Sequence, residues 1–136
     1  MNRSNFKTIN AFKLLLMIMF AIVLLKPVKA IAEEMNISVS GGTIEKGEQV
    51  SVTVSMSSAV DIGAFDISMS YDASVLEYVS CSSQCGGGSG ALRIVYSPMS
   101  KSYSFTITFK GLKEGSSAVS VSSINEAYDI NENNLT

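Results

Sequence analysis

The 136-residue chain contains no histidine, no tryptophan, only two cysteines and only two prolines. Without histidine, catalysis by a Ser-His-Asp or Cys-His centre is excluded, and two thiols without an imidazole give too few ligands for zinc. Glycoside hydrolysis needs two carboxylates at a defined separation across a cleft, and sequence context marks out no such pair among the twelve acidic residues. We therefore predict a protein that is not an enzyme.

Long apolar runs are also absent, except near the N-terminus. Arg3, Lys7 and Lys13 precede an unbroken apolar run of twelve residues, Leu14–Leu25, and small-residue cleavage sites follow that end at Ala30 and Ala32. A membrane-spanning helix needs about 20 such residues, which disfavours a retained anchor. We expect residues 1–32 to be a cleaved secretory signal peptide. The mature domain, residues 33–136, is then secreted or associated with the cell surface.

Positive charge is scarce in the predicted mature domain. The domain has five lysines and arginines and twelve acidic residues, which gives a formal charge of −7. An acidic domain without a basic patch is a poor candidate for binding nucleic acid or an anionic membrane. About 100 residues are enough for one domain with a hydrophobic core, and too few for two.

The two cysteines, Cys81 and Cys85, lie at the start of a glycine-rich stretch, 81–90. In an oxidising compartment a C-x-x-x-C pair can close a small disulfide. A metal site and two free thiols are the alternatives. We predict a local disulfide with a stabilising role only.

Short runs in which apolar and polar residues alternate dominate the mature domain, and no helical period occurs outside the predicted signal peptide. This pattern predicts an all-β fold, a single sandwich of two antiparallel sheets. The glycine-rich stretch is expected to be a mobile loop, and 57–62 a loop between two strands. The predicted strands are 36–40, 49–56, 64–71, 76–80, 91–96, 103–110 and 118–121.

Four segments in this order resemble the cohesin family, the receptor modules of bacterial cellulosome scaffoldins. They are Glu48–Val54, Gly63–Glu77 with its Tyr-Asp turn, Tyr103–Lys110 and the small acidic turn Ala127–Asn131. The resemblance covers about residues 36–134 and implies a jelly-roll β-sandwich. It also implies docking: cohesins use one flat sheet face to bind dockerins, calcium-loaded modules attached to polysaccharide-degrading enzymes.

Carried over residue by residue, the resemblance implies a partner-binding face. Asp66, Ser68 and Ser70 lie on the polar side of the strand that leads into the Tyr-Asp turn, and Arg93 and Val95 are outward on a later strand by parity. Many cohesins carry Asn where this chain has Ala64, so part of the usual hydrogen-bonding pattern is missing. The alternative reading is an ordinary solvated strand face.

No cofactor or metal is expected on this chain, and the calcium implied by the resemblance belongs to the dockerin. The stretch 129–134 has oxygen side chains at alternating positions, as a calcium loop has, but it lacks the glycine at position 6 and is predicted to be a polar turn. Cohesins end with a further strand, and this chain stops at 133–136 where that strand would begin. We therefore expect the domain to lack its final strand.

Direct polysaccharide binding is the main alternative function, because related sandwiches serve as carbohydrate-binding modules. Such modules grip sugar rings with exposed aromatic side chains. By parity, Tyr78 and Tyr128 are the exposed candidates, whereas the other three tyrosines point inward. A cell-surface adhesion or structural domain is the third possibility.

Overall fold

In the part of the chain that the structure describes, the runs of alternating apolar and polar residues form seven strands. The structure, a computed structural model, describes residues 33–41, 43–115 and 117–136, so the predicted signal peptide lies outside the described residues. The described residues belong to one compact unit, Ala32–Thr136. The strands are β1 (Asn36–Val39), β2 (Gln49–Ser70), β3 (Leu76–Cys81), β4 (Cys85–Gly88), β5 (Ala91–Tyr96), β6 (Ser100–Gly111) and β7 (Ser120–Asp129).

Strand β2 is 22 residues long, against roughly 3–10 residues for most strands, and it pairs with four other strands. Its first half lies between β1 and β6, and its second half lies between β5 and β7. Strand β3 continues the first layer beyond β6, and β4 continues the second layer beyond β5. Every strand pair is antiparallel. The fold is thus the predicted all-β sandwich, with one strand shared by both layers.

A change of side-chain parity inside β2 makes this sharing possible. In the first half the buried apolar residues are even-numbered, as in Val52 and Val54, whereas in the second half they are odd-numbered, as in Phe65 and Ile67. Side chains alternate strictly along a strand, so such a switch needs one extra residue. The pairing with β7 shifts at this place, between Ile62 and Ala64.

The core lies between the two layers and combines side chains from both halves of β2 with those of β5 and β6. The largest fully buried side chains include Phe65, Phe109, Ile94 and Ile107. Aromatic rings cross between the layers: Tyr71 lies 4.9 Å from Phe109, measured between ring centroids. Burying one such side chain is worth about 1.5–3 kcal/mol, so this core stabilises both layers together.

Three of the strand predictions were wrong. Residues 57–62 were expected to form a loop but continue β2, since this is where the strand crosses between layers. The glycine-rich stretch contains strand β4, which pairs with β5 through its backbone. The last strand runs to Asp129 and not to 121, because register shifts opposite Asp66 and Ser68 break its alternation.

The chain after β7 folds around Asp129, a carboxylate that is only 7% exposed. Its Oδ1 accepts hydrogen bonds from the backbone amides of Asn131 and Asn133, both at 2.8 Å, and its Oδ2 accepts one from the Asn133 side chain at 2.8 Å. The segment is therefore a polar turn, as predicted, although Ala127–Asp129 belongs to β7 and not to the turn.

Leu135 follows this turn and is buried. Its amide donates to the Ala127 carbonyl at 2.9 Å, and its carbonyl accepts from the Met35 amide at 3.0 Å. It thus links the end of β7 to the start of β1. The expected lack of a final strand stays a prediction.

The parity switch predicts that Gly63→Ala destabilises the fold. A Cβ atom at this position would lie 2.5 Å from the backbone oxygen of Asp129, which cannot move without disturbing β7. Overpacking of this kind typically costs about 1–3 kcal/mol. Urea unfolding should show this loss for Gly63→Ala and almost none for Gly41→Ala, where a Cβ meets nothing within 4 Å. Equal stability of the two variants would contradict the assignment.

The Asp129 turn predicts a pH dependence of stability. Hydrogen bonds from Asn133 and Asn131 hold the pKa of Asp129 below its usual value. A carboxylate with a lowered pKa stabilises the fold above its unfolded pKa of about 3.9, and this contribution is lost as the pH falls through the folded value. Asp129→Asn should therefore lower the melting temperature at pH 6 and flatten its decline below about pH 4.

Asp61→Asn is the matched control, since the Asp61 side chain makes no hydrogen bond to a described residue. A decline for Asp129→Asn as steep as that of the unmodified protein would show that the turn does not depend on the ionised carboxylate.

Candidate binding face

All five residues of the predicted binding face lie together on the outer side of the second layer. Asp66 of β2 is the register partner of Val95 on β5, and Ser68 is the partner of Arg93. Ser70 lies one row further along β2, beside Ala91. The residues between them, such as Ile67 and Ile94, point into the core. Strand pairing therefore brings the predicted residues onto one surface; their role in binding stays a prediction.

The central contact of this face is an ion pair between Asp66 and Arg93. The Arg93 Nε donates to both carboxylate oxygens, at 3.0 and 3.1 Å, and Nη2 also donates to Oδ2. Asp66 is only 8% exposed, whereas the Arg93 side chain is 67% exposed. The carboxylate is thus covered, and the guanidinium is the group that a partner meets first.

Asn125 of β7 completes the network and was not predicted from the sequence. Its Nδ2 donates to Asp66 Oδ1 at 2.9 Å and to Ser68 Oγ at 3.0 Å. Ser123 Oγ in turn donates to Asn125 Oδ1 at 2.8 Å. Asn125 lies where the β7 register shifts between Glu126 and Ile124. A bulge re-aims side chains in this way, and the sequence Ser-Ile-Asn-Glu shows no alternation that would have revealed it.

The network fixes the charge state of the pair. Hydrogen bonds from Arg93 and then from Asn125 lower the pKa of Asp66, and the positive charge of Arg93 acts in the same direction. The hydrogen bond to Asp66 likewise raises the pKa of Arg93. Both groups therefore stay ionised from mildly acidic to alkaline pH, so the face presents the same hydrogen-bonding pattern over that range.

The rest of the face is small or apolar. Val95 is 48% exposed and borders an open depression together with Arg93, Gln84 and Gly86. Ser70 Oγ lies 3.3 Å from Ser120 Oγ on β7. Small side chains let a partner approach the sheet closely, and one exposed valine offers it an apolar contact.

The two tyrosines considered for sugar binding lie in different places. Tyr128 is 37% exposed and pairs with Ala64 at the end of the binding face. Tyr78 is half-buried on β3, with its ring edge-on to Phe109. In the described parts of the chain, His, Cys, Asp and Glu side chains form no group of three or more that could hold a metal ion. Nor does any helix there have the length and apolarity to cross a membrane.

A disulfide borders the binding face. Cys81, at the end of β3, is bonded to Cys85, at the start of β4, and their Cα atoms are 6.1 Å apart. The rest of β4 is glycine, Gly86–Gly88, and has no side chains to pack. The bond therefore ties β4 to β3, and backbone pairing holds β4 beside β5, where Gly86 is the register partner of Arg93.

Thiol titration of the unfolded protein should therefore find no free thiol before reduction and two per chain after it. Because the two cysteines are only four positions apart, loop closure accounts for about 2 kcal/mol. Replacing both cysteines by serine should lower the free energy of unfolding by about this amount. Two titratable thiols in the unreduced protein would rule out the disulfide.

A family model for the cohesin domain matches residues 35–136, three quarters of the chain, and the chain belongs to the cohesin family. The match covers all seven strands and both the Met35 and Leu135 contacts. It confirms the resemblance carried by the four sequence segments. Comparison with curated protein sequences gave no match.

Several solved cohesins are similar in structure. The sixth cohesin of scaffoldin B from Acetivibrio cellulolyticus, solved in complex with a dockerin, aligns at a TM-score of 0.65 with 19% identity, covering 76% of this chain and 92% of that one. The cohesin of a type I cohesin–dockerin complex from Clostridium thermocellum also reaches 0.65, with 16% identity and the same coverage. A non-cellulosomal cohesin from the archaeon Archaeoglobus fulgidus reaches 0.62, with 20% identity, covering 74% and 83%. At these identities the likeness establishes the fold.

Proposed function

We propose that this chain is a non-catalytic docking module that binds dockerins through the outer face of its second layer. The observation that carries the proposal is the hydrogen-bonded network of Asp66, Arg93, Asn125 and Ser68 on a rigid sheet. Membership of the cohesin family supports it, as do the two related cohesins that were solved with dockerins.

The geometry suits recognition of a folded partner. Arg93 uses Nε and Nη2 on Asp66, and a guanidinium has five N–H donors, so the remaining donors can meet carbonyl or carboxylate oxygens of the partner. Arg93 is already held by Asp66, and therefore loses little side-chain entropy on binding. Asp66 acts here as the residue that orients Arg93, more than as a direct acceptor.

We also propose where this module acts and which proteins it binds. The predicted signal peptide and disulfide favour a secreted or cell-surface module, whose partners are dockerin-bearing enzymes that degrade polysaccharides. Calcium is then needed by the dockerin and not by this chain. The archaeal relative is described as non-cellulosomal, so the partner, and not the fold, decides which assembly such a module joins.

Capture experiments with residues 33–136 test the proposal. The domain, shown to be folded by circular dichroism, is immobilised and exposed to a panel of type I and type II dockerins, with calcium and with a chelator. We expect at least one dockerin to be captured, and the chelator to abolish its capture. A folded domain that captures none would reject docking and favour an adhesion or structural role.

Substitutions locate the binding face. Asp66→Ala and Arg93→Ala should each weaken capture about tenfold or more, as expected for central residues of an interface. Asn125→Ala should weaken it less, because Arg93 still holds Asp66. Thr53→Ala is the matched control, since Thr53 is exposed on the outer face of the first layer. Equal effects of Thr53→Ala and Arg93→Ala would place the interface elsewhere.

A further inference from the structure

A second site lies away from the binding face, on the open side of the sandwich between the edge strands β3 and β4. A cavity of about 350 Å³ opens there, within the size range of small-ligand sites. Its wall includes Tyr71, Glu77, Tyr78, Ser89 and Leu112. None of these residues belongs to the docking network, so the site can be judged independently of the proposed docking.

The strands around the cavity are tied together. The Cys81–Cys85 bond joins β3 to β4. The Tyr71 amide donates to the Gly90 carbonyl at 3.0 Å, and the Leu112 amide donates to the Val75 carbonyl at 2.8 Å. These bonds hold the walls at a fixed separation, so a ligand would enter a preformed cavity.

Tyr71 supplies the observation that points to a ligand. The residue is 8% exposed, and its ring packs 4.9 Å from that of Phe109, measured between centroids. Its hydroxyl makes no hydrogen bond to a residue that the structure describes. Among the described residues no buried side-chain polar atom lacks a hydrogen-bond partner, so the Tyr71 hydroxyl is not a buried, unpaired group. Tyr71 lines the cavity and brings a phenol, a donor and acceptor, on a ring that packs against the core.

The other wall residues complete a pattern of apolar surface beside hydrogen-bonding groups. Tyr78 offers a second aromatic ring, oriented at 72° to Phe109, and Leu112 is 40% exposed. Glu77 and Ser89 are exposed and bring a carboxylate and a hydroxyl. A pyranose ring has the matching chemistry, because its C–H face packs on aromatic and aliphatic side chains while its hydroxyls bond to carboxylate and phenol oxygens.

We propose that this cavity binds one neutral pyranose unit of a polysaccharide chain. The sugar must be neutral because Glu77 and the surplus of acidic residues in the domain repel uronic acids. The site is open and short, so the affinity of a single unit is low, with a Kd of about 1 mM. The same module then holds a sugar chain at the side of the sandwich and leaves its docking face free.

Nuclear magnetic resonance titration of ¹⁵N-labelled residues 33–136 tests this site. The probes are cellohexaose and xylohexaose, with hexagalacturonate as the acidic control, each up to about ten times the expected Kd of about 1 mM. We expect at least one neutral probe to shift the amide signals around Tyr71, Glu77, Tyr78 and Ser89, and the acidic control to shift none of them. No shift with either neutral probe, or shifts confined to other surfaces, would overturn the proposal.

Two conservative variants remove polar atoms without emptying the core. Tyr71→Phe and Glu77→Gln should each raise the Kd of the bound probe about fivefold or more, with an unchanged melting temperature. Tyr128→Phe, at the far end of the docking face, should leave the Kd unchanged. Equal affinity in all three variants would overturn the assignment. Dockerin capture by Tyr71→Phe should match that of the unmodified domain, so a failure of sugar binding remains distinct from a failure of docking.

Discussion

The whole structure depends on one backbone constraint, the extra residue in β2 that moves its buried side from even to odd positions. Without it, a single strand could not contribute Val54 to the core in one layer and Phe65 in the other. Gly63 lies at this switch, where only a hydrogen fits against the backbone of Asp129. The shared strand then fixes both layers together, since β1, β5, β6 and β7 all take their register from it.

The hydrogen-bonded network on the proposed binding face is positioned by the same strand. Asp66 and Ser68 come shortly after the switch, and their outward direction follows from the inward direction of Phe65 and Ile67. Strand β5 brings Arg93 from one side, and a bulge in β7 brings Asn125 from the other. A charged pair on three packed strands needs little reorganisation to meet a partner, which is the advantage of a sheet face over a loop.

Much of this was predictable from sequence, because alternation reports directly on which side of a strand is buried. The alternation in β5 placed Arg93 and Val95 outward, and both lie on the outer side of the second layer. The apolar residues are even-numbered in Val50–Met56 and odd-numbered in Phe65–Tyr71, so the change of buried side was also present in the sequence. These two runs were interpreted as separate strands with a loop between them. Asn125 could not be predicted because the bulge at this position breaks the alternation of β7. The cavity beside Tyr71 could not be predicted because residues distant in sequence form its walls.

The bond between the Met35 amide and the Leu135 carbonyl, 3.0 Å long, has a consequence for engineering. It brings the two ends of the fold side by side, at the start of β1 and beyond the end of β7. A domain whose ends are adjacent can be inserted into a surface loop of another protein without separating the two ends of that loop. Copies can also be joined in series by short linkers, because the entry and the exit of each copy lie at the same place on its surface.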